Sequence, residues 1–135
     1  MSDKTPLILH ADDEEDILAI AKLALEVVGG LSIVQCSSGH QAIELAQRHK
    51  PDFLLLDVMM PGIDGVETLR RIRQIEGCHR TPAVFMTAKV LNDDRARLLA
   101  SGAEAVIAKP FDPMTLASQI VEIWRKSIEK ECLPG

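Results

Sequence analysis

The stretch Phe53-Leu54-Leu55-Leu56-Asp57 decides the fold. A short, unbroken apolar run bounded by polar residues is what a strand buried on both faces looks like, and such strands occupy the middle of parallel sheets covered by helices. The run ends on a carboxylate, Asp57, where an unpaired charge is least tolerated. Three other strand-like runs stop in the same manner. LILHA (7–11) leads into Asp12 and Asp13, PAVFMT (82–87) closes on Thr87, and EAVIAK (104–109) closes on Lys109. In an open parallel α/β sheet, ligands bind at the carboxyl ends of the strands. One site would therefore gather three carboxylates, a hydroxyl and an ammonium, a mixture suited to a divalent cation and a phosphoryl group.

Amphipathic stretches separate these runs. After the first, Ile17, Ile20, Ala21, Ala24, Val27 and Val28 follow i, i+3, i+4, i+7 spacing, which predicts a helix with those residues inward, stopped by Gly29-Gly30. LSIVQC (31–36) is a further strand, and Ser38 with Gln41 forms a capping-box pattern. Ala42, Leu45, Ala46 and His49 continue that second helix until Lys50-Pro51. Asp64 with Glu67 caps a third helix facing inward through Val66, Leu69 and Ile72. Asn92 is the expected cap of a fourth helix, stopped by Ser101-Gly102, and Asp112 with Pro113 opens a fifth. Five β-then-α units imply an α/β fold with a five-stranded parallel sheet and helices on both faces. The pattern leaves the strand order open.

A length of 135 residues suits one domain, with no repeat or linker-like stretch to divide it, so 1–135 reads as a single domain with its core at about 7–128. Net charge of −5 and the lack of any Lys/Arg cluster argue against a nucleic-acid-binding surface. The N-terminus MSDKTP has no apolar h-region, and no apolar run approaches the roughly 18 residues of a membrane span. A cytoplasmic chain is expected. Cys36, Cys78 and Cys132 make no CxxC pattern, which points to neither a disulfide framework nor a zinc site. His10 adjoins the acid pair but reads as structural.

The strand-end residues divide the chemistry among them. Asp12 and Asp13 are more acid than a helix cap needs, and Glu14, Glu15 and Asp16 add to it. Such hard oxygen ligands suit Mg²⁺. Asp57 is placed to act as a nucleophile, since a carboxylate attacks phosphorus to form an acyl phosphate. That attack brings anion toward anion and needs fixed positive charge. Lys109, followed by Pro110, supplies it, and Thr87 offers a hydroxyl donor to a phosphoryl oxygen.

The strings ILHADDEEDI (8–17), LLLDVMMPGIDG (54–65), FMTAK (85–89) and IAKPFD (107–112) resemble the response-regulator receiver domain of two-component phosphorelays. The likeness joins four motifs in order and runs from about Leu7 to about Ile128. It implies a flavodoxin-like (βα)5 fold with strand order 2-1-3-4-5. It also implies that Asp57 accepts a phosphoryl group from a histidine kinase or histidine phosphotransfer protein. Asp13, Asp57 and the backbone carbonyl of Met59 would hold Mg²⁺, with Asp12 acting through water, and Thr87 and Lys109 would bind the phosphoryl oxygens. Receivers commonly signal through their fourth helix, fifth strand and fifth helix, so a downstream partner, an output module or a homodimer is expected on that face. The protein would then be a signalling phospho-acceptor that catalyses its own phosphorylation and dephosphorylation, not an enzyme acting on other molecules.

Two departures stand out. Val106 occupies the fifth-strand position, three residues before Lys109, where the family usually has an aromatic that turns inward with the threonine. Val58 follows Asp57, which leaves the lone Trp124, on the last helix, far from the site. Met59 and Lys89 would flank the phosphoryl group and tune its hydrolysis. Leu116, Ala117, Ile120, Val121, Ile123, Trp124 and Ile128 give the last helix a broad apolar stripe, mostly for packing on the sheet. Met1 reads as a natural start, and Cys132–Gly135 as a frayed tail too short for an output domain. Two rival readings fit the sequence less well. A haloacid-dehalogenase-like Mg phosphohydrolase needs a second Asp two residues after the nucleophile, where Met59 stands. A pseudo-receiver would have lost one of Asp13, Asp57, Thr87 or Lys109.

Overall fold

A computed structural model of the chain describes residues 5–88 and 92–132, the last three of these as backbone only. Its strands are β1 (Leu7–Ala11), β2 (Ser32–Cys36), β3 (Phe53–Asp57), β4 (Ala83–Thr87) and β5 (Ala105–Ala108). The helices are α1 (Glu15–Lys22, continuing through a π-helical segment, Leu23–Val28), α2 (Gly39–His49), α3 (Gly65–Ile72), α4 (Asn92–Ala100) and α5 (Leu116–Cys132). All strand pairs are parallel, in the order β2-β1-β3-β4-β5. The chain is thus a doubly wound α/β sheet in the expected order, with β1 and β3 adjacent and the order reversing at β1.

The central strand behaves as its composition demands. All five β3 residues are buried. Phe53 and Leu55 point into one core with Ile8, Val84 and Met86, covered by α1 and α5 through Ala21, Leu25, Leu116, Ile120 and Trp124. Leu54 and Leu56 point into the other with Leu9, Ala11 and Phe85, covered by Ala42 of α2, Leu69 and Ile72 of α3 and Leu98 of α4. The period of two sends alternate side chains to opposite faces, so a continuous apolar run serves two cores at once.

Several local expectations are corrected. The 3.6-residue spacing predicted Val27 and Val28 inward, yet the π-helical turn widens the helix and shifts the face, leaving Val27 73% and Val28 48% exposed while Leu25 is fully buried. Ile20 is 40% exposed for the same helix. Ser38 Oγ accepts from the Gln41 N–H, but Gln41 Oε1 returns to the N–H of Ser37, one residue before the cap. Asp64 accepts from the Glu67 N–H, whereas the Glu67 carboxylate turns to Arg70 and Arg71 and never reaches back. Ile128 is 38% exposed at the end of the α5 stripe, whereas α2 ends at His49 as expected. Asn92 is the first residue of α4, and the residues before it lie outside the described residues, as do 133–135 of the expected tail. Asp112 opens a turn ahead of α5, its Oδ1 accepting from the Met114 N–H at 2.9 Å.

The β3–α3 connection is tight because Gly65 permits it. Its N–H donates to the Val58 carbonyl at 2.9 Å, and a Cβ at this position would collide with the Asp57 carbonyl oxygen. Gly65→Ala is therefore expected to force the backbone apart and cost about 1–3 kcal/mol. Urea denaturation would check this, with an unchanged midpoint refuting it.

Candidate functional site

Strand order brings the functional residues together. β1 and β3 lie side by side, so Asp12, just past β1, stands beside Asp57 at the end of β3. β4 and β5 then carry Thr87 and Lys109 to the same edge, where the Lys109 N–H donates to the Thr87 carbonyl at 2.9 Å. The Lys109-Pro110 peptide is cis. The lysine side chain is only 8% exposed, and its Nζ lies 2.8 Å from Asp12 Oδ2, 3.2 Å from Asp57 Oδ1 and 3.3 Å from Glu14 Oε1.

Burial sets the electrostatics. Asp12 is fully buried and Asp57 is 4% exposed. Burial, then the charge of Asp12, pushes the Asp57 carboxyl up to about 7, with contact from Asp13 adding to the rise and Lys109 opposing it. Burial alone would lower the Lys109 ammonium, but the Asp12 and Asp57 carboxylates outweigh it and hold its pKa above the usual range. The cluster thus carries more negative charge than one ammonium offsets.

Which groups suit a metal follows from the donors. Carboxylate oxygens of Asp12, Asp13, Glu14 and Asp57 lie within 4.8 Å of one another. Asp12 Oδ1 accepts from the Glu14 N–H at 2.9 Å, while its buried Oδ2 has the ammonium close by but no aligned hydrogen bond. An all-oxygen set of four clustered carboxylates fits a hard divalent cation such as Mg²⁺. The Met59 N–H reaches Asp57 Oδ1 at 3.4 Å, and its side chain is exposed.

A cleft of about 340 Å³ opens above these residues, lined by Glu14, Asp57, Met59, Thr87, Arg97 and Lys109 among others. A wider groove of about 550 Å³ runs between α1, β2 and α2, but none of Asp12, Asp13, Asp57, Thr87 and Lys109 lines it. Chemistry, not size, places the site in the smaller one.

His10 is buried, with Nδ1 3.1 Å from the Gln35 amide. Burial, aided by the charge of Lys109, lowers its pKa to about 3, which favours the neutral imidazole. Lys89 lies outside the described residues. Sequence reasoning gave no site role to Glu14 or Arg97. Glu14 was visible only as one acid in a run, and nothing in the sequence indicates which face of α4 turns toward Asp57.

The sequence model of the response regulator receiver domain matches residues 8–121. The chain belongs to the response-regulator receiver family. Its receiver sequence is 35% identical over 120 residues to the alkaline phosphatase synthesis transcriptional regulatory protein PhoP of Bacillus subtilis, covering 89% of this chain and 49% of that protein. It is 37% identical over 120 residues to the transcriptional regulatory protein CpxR of Escherichia coli, covering 89% and 50% respectively. The chain spans about half the length of these relatives. Among solved structures, the Vibrio cholerae chemotaxis protein CheY4 superposes with a TM-score of 0.82 at 25% identity, covering 89% of this chain and 99% of that one. The receiver domain of Francisella response regulator 1452 gives 0.81 at 25%, covering 91% and 99%. Receivers are phospho-accepting modules of two-component signal transduction. The relatives are transcriptional regulators by name, which weighs against extending the expected absence of nucleic acid beyond this stretch. Among the described residues, no helix is long and apolar enough to cross a membrane.

Between its ordinary value of 3.8 and about 7, the folded protein holds a proton on Asp57 that the unfolded chain releases. The stability tied to that proton is complete at low pH and is lost as pH rises through 7. Asp57→Asn cannot ionise. In metal-free buffer at pH 8 it is expected to melt about 4 °C above wild type for each kcal/mol recovered. Calorimetry should see the gap close as pH falls toward 5, and a gap independent of pH would contradict the assignment. Lys109→Met, which strands buried Asp12, is expected to cost about 3 kcal/mol in the same assay.

Proposed function

We propose that residues 1–135 form a single cytoplasmic receiver domain whose phospho-acceptor is Asp57, with Thr87 and Lys109 as its phosphoryl-binding partners. The observation that carries this is the convergence of Asp12, Asp57 and the Lys109 ammonium within 3.3 Å contacts at one sheet edge, where Thr87 also lies.

Ionised Asp57 attacks phosphorus with a carboxylate oxygen. The P–N bond of a phosphohistidine breaks, the imidazole leaves with the electron pair and takes up a proton, and an acyl phosphate remains on Asp57. Lys109 is already held between Asp12 and Asp57. It needs little reorganisation to meet charge developing on the phosphoryl oxygens, which is how preorganised donors act. The Thr87 hydroxyl would donate to one of those oxygens. Asp12, Asp13, Asp57 and the Met59 carbonyl would hold Mg²⁺, whose bound charge lowers the repulsion between carboxylate and phosphate. Dephosphorylation is the reverse demand on the same residues, with water as the attacking group.

A histidine kinase or histidine phosphotransfer protein is the proposed donor. The output would pass to a downstream protein or appended module, or to a second copy through α4, β5 and α5. Val106 is 8% exposed, pairs in register with Phe85 and belongs to the core cluster that also holds Leu98 and Ala103. A β-branched side chain held there has no ring to swing, so the response would run through the Thr87 loop and α4.

Intact-mass measurement after incubation with acetyl phosphate tests the reading. Wild type should gain one phosphoryl group in the presence of Mg²⁺ and none in chelator, and Asp57→Asn should gain none. An adduct retained by Asp57→Asn would place the acceptor elsewhere.

A further inference from the structure

Within the cleft, the cations differ in how they are occupied. Lys109 is buried and already committed to Asp12, Asp57 and Glu14. Arg97, on α4, lines the same cleft with its side chain 62% exposed, and its one ion-pair neighbour among the described residues, Asp94, stands 3.9 Å away, at the outer limit for such a pair. Leu98, the next residue, is buried and seats this part of α4 against the core. The guanidinium therefore sits on a fixed stem, loosely engaged, at the rim of a cleft whose other charged walls include the carboxylates of Glu14, Asp57 and Asp94.

A phosphoryl donor approaching Asp57 is a dianion entering that acidic cleft. Among the described residues of the lining, the carboxylates of Glu14, Asp57 and Asp94 oppose its approach until it meets Arg97 and Lys109. A guanidinium presents a planar fork of N–H donors that matches two phosphate oxygens, and its charge persists at any working pH. We propose that Arg97 is a substrate-positioning residue, which captures the phosphoryl group of the donor at the cleft rim before transfer to Asp57. The inference rests on the phospho-acceptor reading given above and adds a residue to it. Arg97 acts on the donor before transfer. Its loss therefore weakens donor capture and leaves the transfer step itself to Asp57, Thr87 and Lys109.

The test is the initial rate of phosphorylation of the full chain against acetyl phosphate concentration, at constant Mg²⁺ and ionic strength, read by intact mass. Arg97→Gln is expected to raise the half-saturating concentration about three- to fivefold, in keeping with an exposed charge contact, with the maximal rate within about twofold of wild type. Arg97→Lys should recover part of the loss. Arg95→Gln removes the same charge from an exposed position outside the cleft lining and should leave the half-saturating concentration unchanged. Added salt should weaken donor capture more in wild type than in Arg97→Gln. If Arg97→Gln is saturated at the wild-type concentration, or if Arg95→Gln shifts it equally, positioning by Arg97 is overturned while the phospho-acceptor reading stands. If wild type takes up no phosphoryl group, that reading falls and this inference with it.

Discussion

The Lys109 ammonium is the interaction on which the site depends. It is almost fully buried and lies within 3.3 Å of carboxylates from three residues, two of them buried. A buried carboxylate without a partner is far more costly than one with a nearby cation, and here two acids share one. The result is a balance that does not close. Lys109 stays charged, while Asp57 is pushed up to about 7 by burial and by Asp12. A cluster left in that condition favours whatever brings further positive charge. Apolar groups in place of such acids would stabilise the fold at least as well, so the cluster fits a site that works by being incompletely neutralised.

That cluster exists only because of the sheet order. β1 and β3 are neighbours although β2 separates them in sequence, and the connections place α1 with α5 on one face and α2, α3 and α4 on the other. The apolar alternation of β3 supports both layers, which fixes the strand in depth and in register. A one-residue slip would exchange Phe53 and Leu55 with Leu54 and Leu56 between cores and carry the Asp57 side chain to the opposite face. The close approach of Gly65 to the Asp57 carbonyl limits the loop that follows. The position of the Asp57 carboxylate is therefore a packing property of the whole sheet.

Much of this was legible in the residues themselves. Runs such as FLLLD and PAVFMT identify buried strands, and the polar residue at each end marks the sheet edge. The fold class and the grouping of Asp12, Asp57, Thr87 and Lys109 follow from those two facts. The strand order came from family likeness, since right-handed crossovers permit several orders. Other features were not legible. The π-helical segment breaks the 3.6-residue period on which the placement of Val27 and Val28 relied. Glu67 chose arginines three and four residues on, a competition that a capping pattern does not reveal. Arg97 belongs to a helix whose orientation is set by tertiary packing, so its place in the cleft needed coordinates.

The same packing bears on how a signal would leave the site. In most of the sheet, each helix is held by several buried side chains, but within α4 only Leu98 is buried. Its C-terminal end is fastened differently. Arg73 donates to the Gly102 carbonyl at 2.7 Å and to the Thr81 carbonyl at 3.0 Å, tying the turn after α4 to the turn before β4. Gly102 adopts φ of +112°, and a Cβ there would crowd the Arg73 guanidinium, so the fastening is specific to glycine. An element with one buried anchor and one tethered end opens at lower cost than its neighbours. Val106 is buried in the same core cluster as Leu98 and, being β-branched, has no ring to swing. The N-terminal half of α4, which carries Asp94, is therefore the least anchored stretch beside the cleft among the described residues, whereas Arg97 is held next to the buried Leu98.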